Sequence, residues 1–149
     1  MFFDGEDALG RWSETDGLYG SRHFTRRLAD EGAQHQIKAV IVIDMIGNSH
    51  LDIQRERYST PWLTDLVFAQ AQRLGYGRYF LKNSRSIEDD QLAFLELGIP
   101  AVEVIDLDYG PLNLYWQTRF DTVDKCSPAS LAIVGDTVLS TLDALENAD

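Results

Sequence analysis

Ile37-Lys38-Ala39-Val40-Ile41-Val42-Ile43-Asp44 is a nearly continuous β-branched run that stops at a carboxylate. Apolar residues at successive positions, not alternate ones, are the pattern of a central strand covered on both faces. Ala101 to Ile105 repeats the pattern and stops at Asp106 and Asp108. Between them, Leu51 to Glu56 alternates apolar and polar residues, as a strand with one wet face does. Tyr79 to Leu81 reads as a short strand.

Helical segments separate these runs. Asp16 precedes a helix over about residues 17–31, closed by Gly32. Thr60 caps a helix with Pro61 in its first turn, an apolar stripe of Trp62, Leu63, Leu66, Val67 and Leu74, and a stop at Gly75. Asp89 or Asp90 starts a helix through Leu92, Leu95 and Leu97 that ends at Gly98 and Pro100. Ser127-Pro128 opens the last one, with Leu131, Val134, Val138, Leu142 and Leu145 inward. The alternation suggests an α/β layered domain. The aromatic-rich stretch from Asp108 to Cys126 carries no periodicity and reads as a long functional loop.

A chain of 149 residues with 44% apolar and 25% charged content is expected to form one soluble domain. No apolar run reaches the roughly 20 residues of a membrane span, and no signal peptide is visible. The net charge of −11 disfavours a nucleic-acid partner and favours cations. The single cysteine, Cys126, excludes an internal disulfide and reads as structural.

Three strand-like runs end in acid. Phe2-Phe3 runs into Asp4-Gly5-Glu6-Asp7, read as the end of a buried strand; the other two end at Asp44 and at Asp106 and Asp108. Parallel neighbours would gather Glu6, Asp7 and Asp44 at one sheet edge. Clustered carboxylates raise one another's pKa unless a cation neutralises them, and a divalent metal does so. In that reading Asp7 and Asp44 are ligands and Glu6 handles protons. The competing reading is that each acid caps an element and faces water, which we prefer for Asp16, Asp65 and Asp143. Of the histidines, His23 reads as a packed helix residue, and His35 and His50 as exposed.

Several ordered motifs resemble the zinc-dependent exopeptidases of metallopeptidase family twenty-eight, in particular their glutaminyl cyclase-like branch. They are Phe2 to Asp7, Leu18-Tyr19-Gly20-Ser21-Arg22-His23, Val40 to Gly47, Ile87-Glu88-Asp89-Asp90, Asp106 to Tyr109, Tyr115-Trp116-Gln117-Thr118 and Asp121 to Lys125. The resemblance implies a three-layer α-β-α fold with a central mixed, mostly parallel sheet that lacks its N-terminal strands here, with Glu6 as general acid/base and Asp7 as a zinc ligand. It implies Asp44 as a second-metal ligand or proton-network carboxylate, Asp89 as a further network acid, and Trp116 as a wall of the substrate pocket. Relatives of this kind act on peptide N-termini and are often secreted or periplasmic.

Two departures stand out. Gln117 occupies the position of a zinc-binding His and Gln91 that of another His, and an amide is a poor zinc ligand beside an imidazole. The resemblance also places further strands and another metal-binding Asp upstream, so residues 1–149 form the C-terminal portion of the catalytic domain. Weak or absent zinc, impaired catalysis and self-association through an exposed sheet edge are the expectations. The alternative is a non-catalytic, degenerate relative that keeps the fold and binds peptides.

Overall fold

A computed structural model describes residues 1–13 and 15–147. The β-branched run forms β1 (Val40–Asp44), which pairs in parallel with β4 (Ala101–Ile105), Val40 opposite Ala101 and Asp44 opposite Ile105. A second parallel pair joins β2 (Ile53–Glu56) to β3 (Phe80–Arg85). Residues just beyond β2 stitch the two pairs together. The Thr60 amide donates to the Ala101 carbonyl at 2.7 Å, and the Glu103 amide donates to Ser59 Oγ at 2.9 Å.

Helices α1 (Tyr19–Asp30), α2 (Pro61–Arg73), α3 (Gln91–Glu96) and α4 (Pro128–Glu146) cover the strands in two layers. Val102 and Val104 of β4 pack with Leu63 and Val67 of α2 and with Ile133 and Val134 of α4. On the opposite face Ala101 packs with Phe94 and Ile99, flanked by Phe3, Phe24 and Leu28. The rings of Phe3, Phe24 and Phe94 form a tilted trio with centroids 5.8–6.1 Å apart. The three-layer α/β architecture is the one read from the sequence.

Several local expectations are corrected. Residues 1–4 form no strand: Phe2 projects fully into solvent, and Phe3 alone turns into the aromatic trio. β1 is not covered on both faces: Val40, Ile41 and Val42 are half-buried and Ile43 is 44% exposed, and β4 is its one pairing partner among the described residues. β2 has no wet face, because Gln54 and Glu56 are buried with partners. Gln54 donates to Asp108, and Glu56 accepts from the Tyr58, Ser59 and Ile87 amides.

Trp62 of α2 and Leu74, the residue that caps its C-terminal end, are exposed. In α4, Leu131 and Leu142 also face outward, while Thr137 and Thr141 are buried. Their hydroxyls donate to the carbonyls one turn back, both at 2.8 Å, which satisfies them inside an apolar layer. His23 is exposed, beside Arg22 and Arg26, instead of packed. No helix among the described residues is long and apolar enough to cross a membrane.

Candidate active site

The site is built where the N-terminal segment meets the start of α1. The Leu18 amide donates to the Glu6 carbonyl at 2.8 Å, and the Tyr19 amide to the Gly5 carbonyl at 2.9 Å. Gly20 makes this approach possible, since a Cβ there would lie 2.5 Å from the Asp4 carbonyl oxygen. Backbone pairing thus delivers Glu6 to the edge where β1 ends, without the strand expected for residues 1–4.

Asp44 is the last residue of β1, and its carboxylate accepts from the Met45 amide at 2.8 Å. Asp89 and Asp90 lead into α3 and are 4% and 7% exposed. Asp89 accepts from the Asp90 amide at 2.6 Å. Glu6 and Asp44 line two adjoining cavities. The larger, of about 810 Å³, continues past Asp89 and Asp90 along β1. The smaller, of about 330 Å³, is bounded by Asp7, Tyr109, Trp116 and Gln117.

The electrostatics are those of a crowded acidic site. Burial, followed by the charges of Asp7, Asp44 and Asp90, raises the Glu6 pKa to about 7. Burial also raises Asp89 to about 7, opposed by its bond from the Asp90 amide and reinforced by Asp44 and Glu6. Asp44 is raised by burial, partly offset by the Met45 amide. Acids poised near neutrality can take up or release a proton at physiological pH.

Sequence reasoning missed Glu103. It lies on β4 opposite Val42, is 2% exposed, and neither carboxylate oxygen has a hydrogen-bond partner among the described residues. Burial drives its pKa well up, and the charges of Asp89, Asp44 and Asp90 add to the effect. The signal was present as a lone Glu inside Ala-Val-Glu-Val-Ile, a strand read as wholly buried. Asn48 was also missed. Its side-chain amide donates to Asp106 Oδ2 at 3.0 Å and to the carbonyls of His50 and Asp108, tying together the loops after β1 and β4. Cys126, read as structural, is exposed and lines the smaller cavity against Gly47.

On the side read as metal-binding, an amide stands against the carboxylate. Gln117, at φ +51°, turns its amide nitrogen to Asp7 Oδ1 at 2.9 Å. Asp7 is therefore engaged by a donor, and an N–H offers a metal no lone pair. Among the described residues no three His, Cys, Asp or Glu side chains converge as a metal would require. None of the three histidines lines either cavity.

An α/β layered fold with acids gathered at a strand end and an aromatic-walled pocket defines a class, and comparison with known proteins names it. Residues 1–142 match Peptidase family M28, and the chain belongs to that family. It is similar to the crystal structure of an Acidobacteriales bacterium glutaminyl cyclase, with 41% identity and a TM-score of 0.96 over 99% of this chain and 52% of that one. A Porphyromonas gingivalis glutaminyl cyclase superposes with a TM-score of 0.82 at 28% identity, again over 52% of its length. The glutaminyl-peptide cyclotransferase of Gloydius blomhoffii is 30% identical over 84% of this chain and 39% of its own. The chain thus spans about half the length of the solved relatives and less of the curated ones.

Proposed function

We propose that the chain is the C-terminal portion of a glutaminyl cyclase-type domain that takes peptide N-termini, with its acid/base machinery intact and its metal side lost. The observation that carries this is Glu6, raised to about 7 and shared between the two cavities with Asp44. In the cyclisation of an N-terminal glutamine the α-amine nitrogen bonds to the side-chain amide carbon and ammonia leaves. Glu6 takes the proton from the amine and returns it to the departing nitrogen. Burial, with the charges of Asp7, Asp44 and Asp90, keeps the Glu6 proton affinity near neutral, and Asp89 is a further acid lining the same cavity. Trp116, 45% exposed, walls the pocket against the peptide. The acidic rim, with Asp7 and Asp121, attracts the cationic chain end.

The Gln117–Asp7 bond favours a second reading, a non-catalytic module that binds peptide ends without turning them over. Calorimetry with a short Gln-initiated peptide, its N-acetylated form as control, tests binding. A fluorogenic Gln-peptide and an aminoacyl chromogen test cyclisation and aminopeptidase action. Both readings expect binding of the free amine over the acetylated peptide, and equal binding overturns both. Turnover separates them: slow cyclisation supports the impaired enzyme, and none the module. Zinc titration is expected to show no tight stoichiometric site, and Gln117→His alone is expected not to create one, because the described residues hold no converging group of metal-binding side chains for it to complete. A tight site in the unaltered chain would contradict the lost metal side.

A further inference from the structure

The geometry points to Gln117 as the specificity-determining residue of the smaller cavity. Held by Asp7, its amide presents one N–H and one carbonyl oxygen that select a primary carboxamide side chain over a carboxylate or an apolar one. The Gln117 amide nitrogen donates to Asp7 Oδ1 at 2.9 Å, the one hydrogen bond this side chain makes among the described residues. An ionised carboxylate only accepts, so Asp7 holds the nitrogen end of the amide and disfavours the flipped orientation. The second N–H and Oε1 are left for the cavity that both residues line. Gln117 sits at φ +51°, a region that residues other than glycine occupy when their surroundings fix them.

The other groups of the cavity are committed or one-sided. Asn48 uses its amide nitrogen on Asp106 and on the His50 and Asp108 carbonyls, and its Oδ1 on the His50 amide. The Tyr109 hydroxyl donates to Asp121 at 2.8 Å. Glu6, Asp7, Asp44 and Asp121 supply acceptors when ionised. Among the described residues of this cavity, Gln117 is thus the side-chain amide with both a donor and an acceptor uncommitted. A ligand carboxamide matches it, because its carbonyl takes the N–H while its own N–H goes to Oε1. A ligand carboxylate would set its charge among four acids and offer Oε1 no donor. An apolar side chain would strip water from the amide and leave it unpaired. The inference rests on reading the cavity as the seat of a peptide N-terminus, and assigns the residue that chooses the first side chain.

Calorimetry on the full chain, in buffer containing a chelator, compares short peptides that differ only in a first residue of Gln, Met or Glu. Gln117 and Asp7 are exposed, so water competes for the amide. The Gln-initiated peptide is expected to bind about tenfold more tightly than the Met-initiated one, the net effect of two neutral hydrogen bonds, and more tightly still than the Glu-initiated one. Gln117→Met removes both bonds with little change in volume and should bring the Gln-to-Met ratio to about one. Asp7→Ala frees the amide to rotate and should lower the same ratio with Gln117 in place. The Gln117 side-chain amide resonances, identified by their loss in Gln117→Met, should shift further with the Gln-initiated peptide than with the Met-initiated one. A ratio near one in the unaltered chain, or a preference that survives Gln117→Met, would overturn the proposal. The N-acetylated peptides separate it from the reading it rests on. If free and acetylated forms bind alike, the reading of the amine fails, while a Gln-over-Met preference within the acetylated pair that Gln117→Met abolishes supports the assignment. Binding of none of the peptides overturns both.

Discussion

At Asp89 the site's chemistry and the stability of the fold oppose each other. Its carboxyl titrates near 7 in the folded chain and near 4 when unfolded, so the folded state binds the proton more tightly. Stability from this source is fully present below about pH 4 and is lost as pH rises through about 7. Asp89→Asn keeps an acceptor for the Asp90 amide and removes the charge. It is expected to be near neutral at pH 4 and to stabilise by about 1–3 kcal/mol at pH 8 in urea unfolding, while lowering any turnover. A stabilisation independent of pH would refute the buried-charge account. Gly20 is constrained sterically instead. Gly20→Ala sets a methyl against the Asp4 backbone and is expected to cost about 1–3 kcal/mol and to displace Glu6. Loss of the fluorescence or NMR signature of a bound Gln-peptide, with the far-UV spectrum retained, would report that displacement.

Among the elements, what the sequence made legible was what periodicity encodes. The β-branched run of β1, the buried run of β4, and the Pro-led starts of α2 and α4 all stand where the pattern put them. What it did not encode was burial set by distant partners. Gln54 and Glu56 look solvent-facing in an alternating strand, but both are held inside: the Gln54 amide nitrogen donates to Asp108, and Glu56 accepts from the Ser59 and Ile87 amides. Phe2-Phe3 looks like a strand because composition carries no record of which neighbour is present. Asp44 was legible as a strand-end carboxylate, Glu6 stood in a run that forms no strand, and Glu103 was hidden inside an apolar run. Asn48 shows how such distant ties hold the elements. Asn48→Ala would strip hydrogen bonds from the buried Asp106 and from two loop carbonyls at once, and is expected to cost about 2–4 kcal/mol. Calorimetric melting measures it, and a change below about 1 kcal/mol would mean that water replaces the amide freely.

For the whole molecule two long-range terms compete at the β1 edge. The exposed backbone and the apolar groove favour pairing with any strand, including that of a second copy. A net charge of −11 on each chain opposes close approach of two copies. Screening weakens the repulsion and leaves the apolar attraction in place. Raising the ionic strength from about 0.01 M to about 1 M shortens the Debye length from about 30 Å to about 3 Å. The chain is therefore expected to be monomeric in dilute buffer and to self-associate with increasing concentration as salt is raised. Sedimentation equilibrium at several concentrations measures this. Ile43→Lys places a charge where two copies would meet and should hold the protein monomeric at high salt. Association that salt weakens would point instead to contacts between unlike charges on the surface, such as Arg22 and Arg26 of α1 against the acidic rim of the pocket, and away from β1.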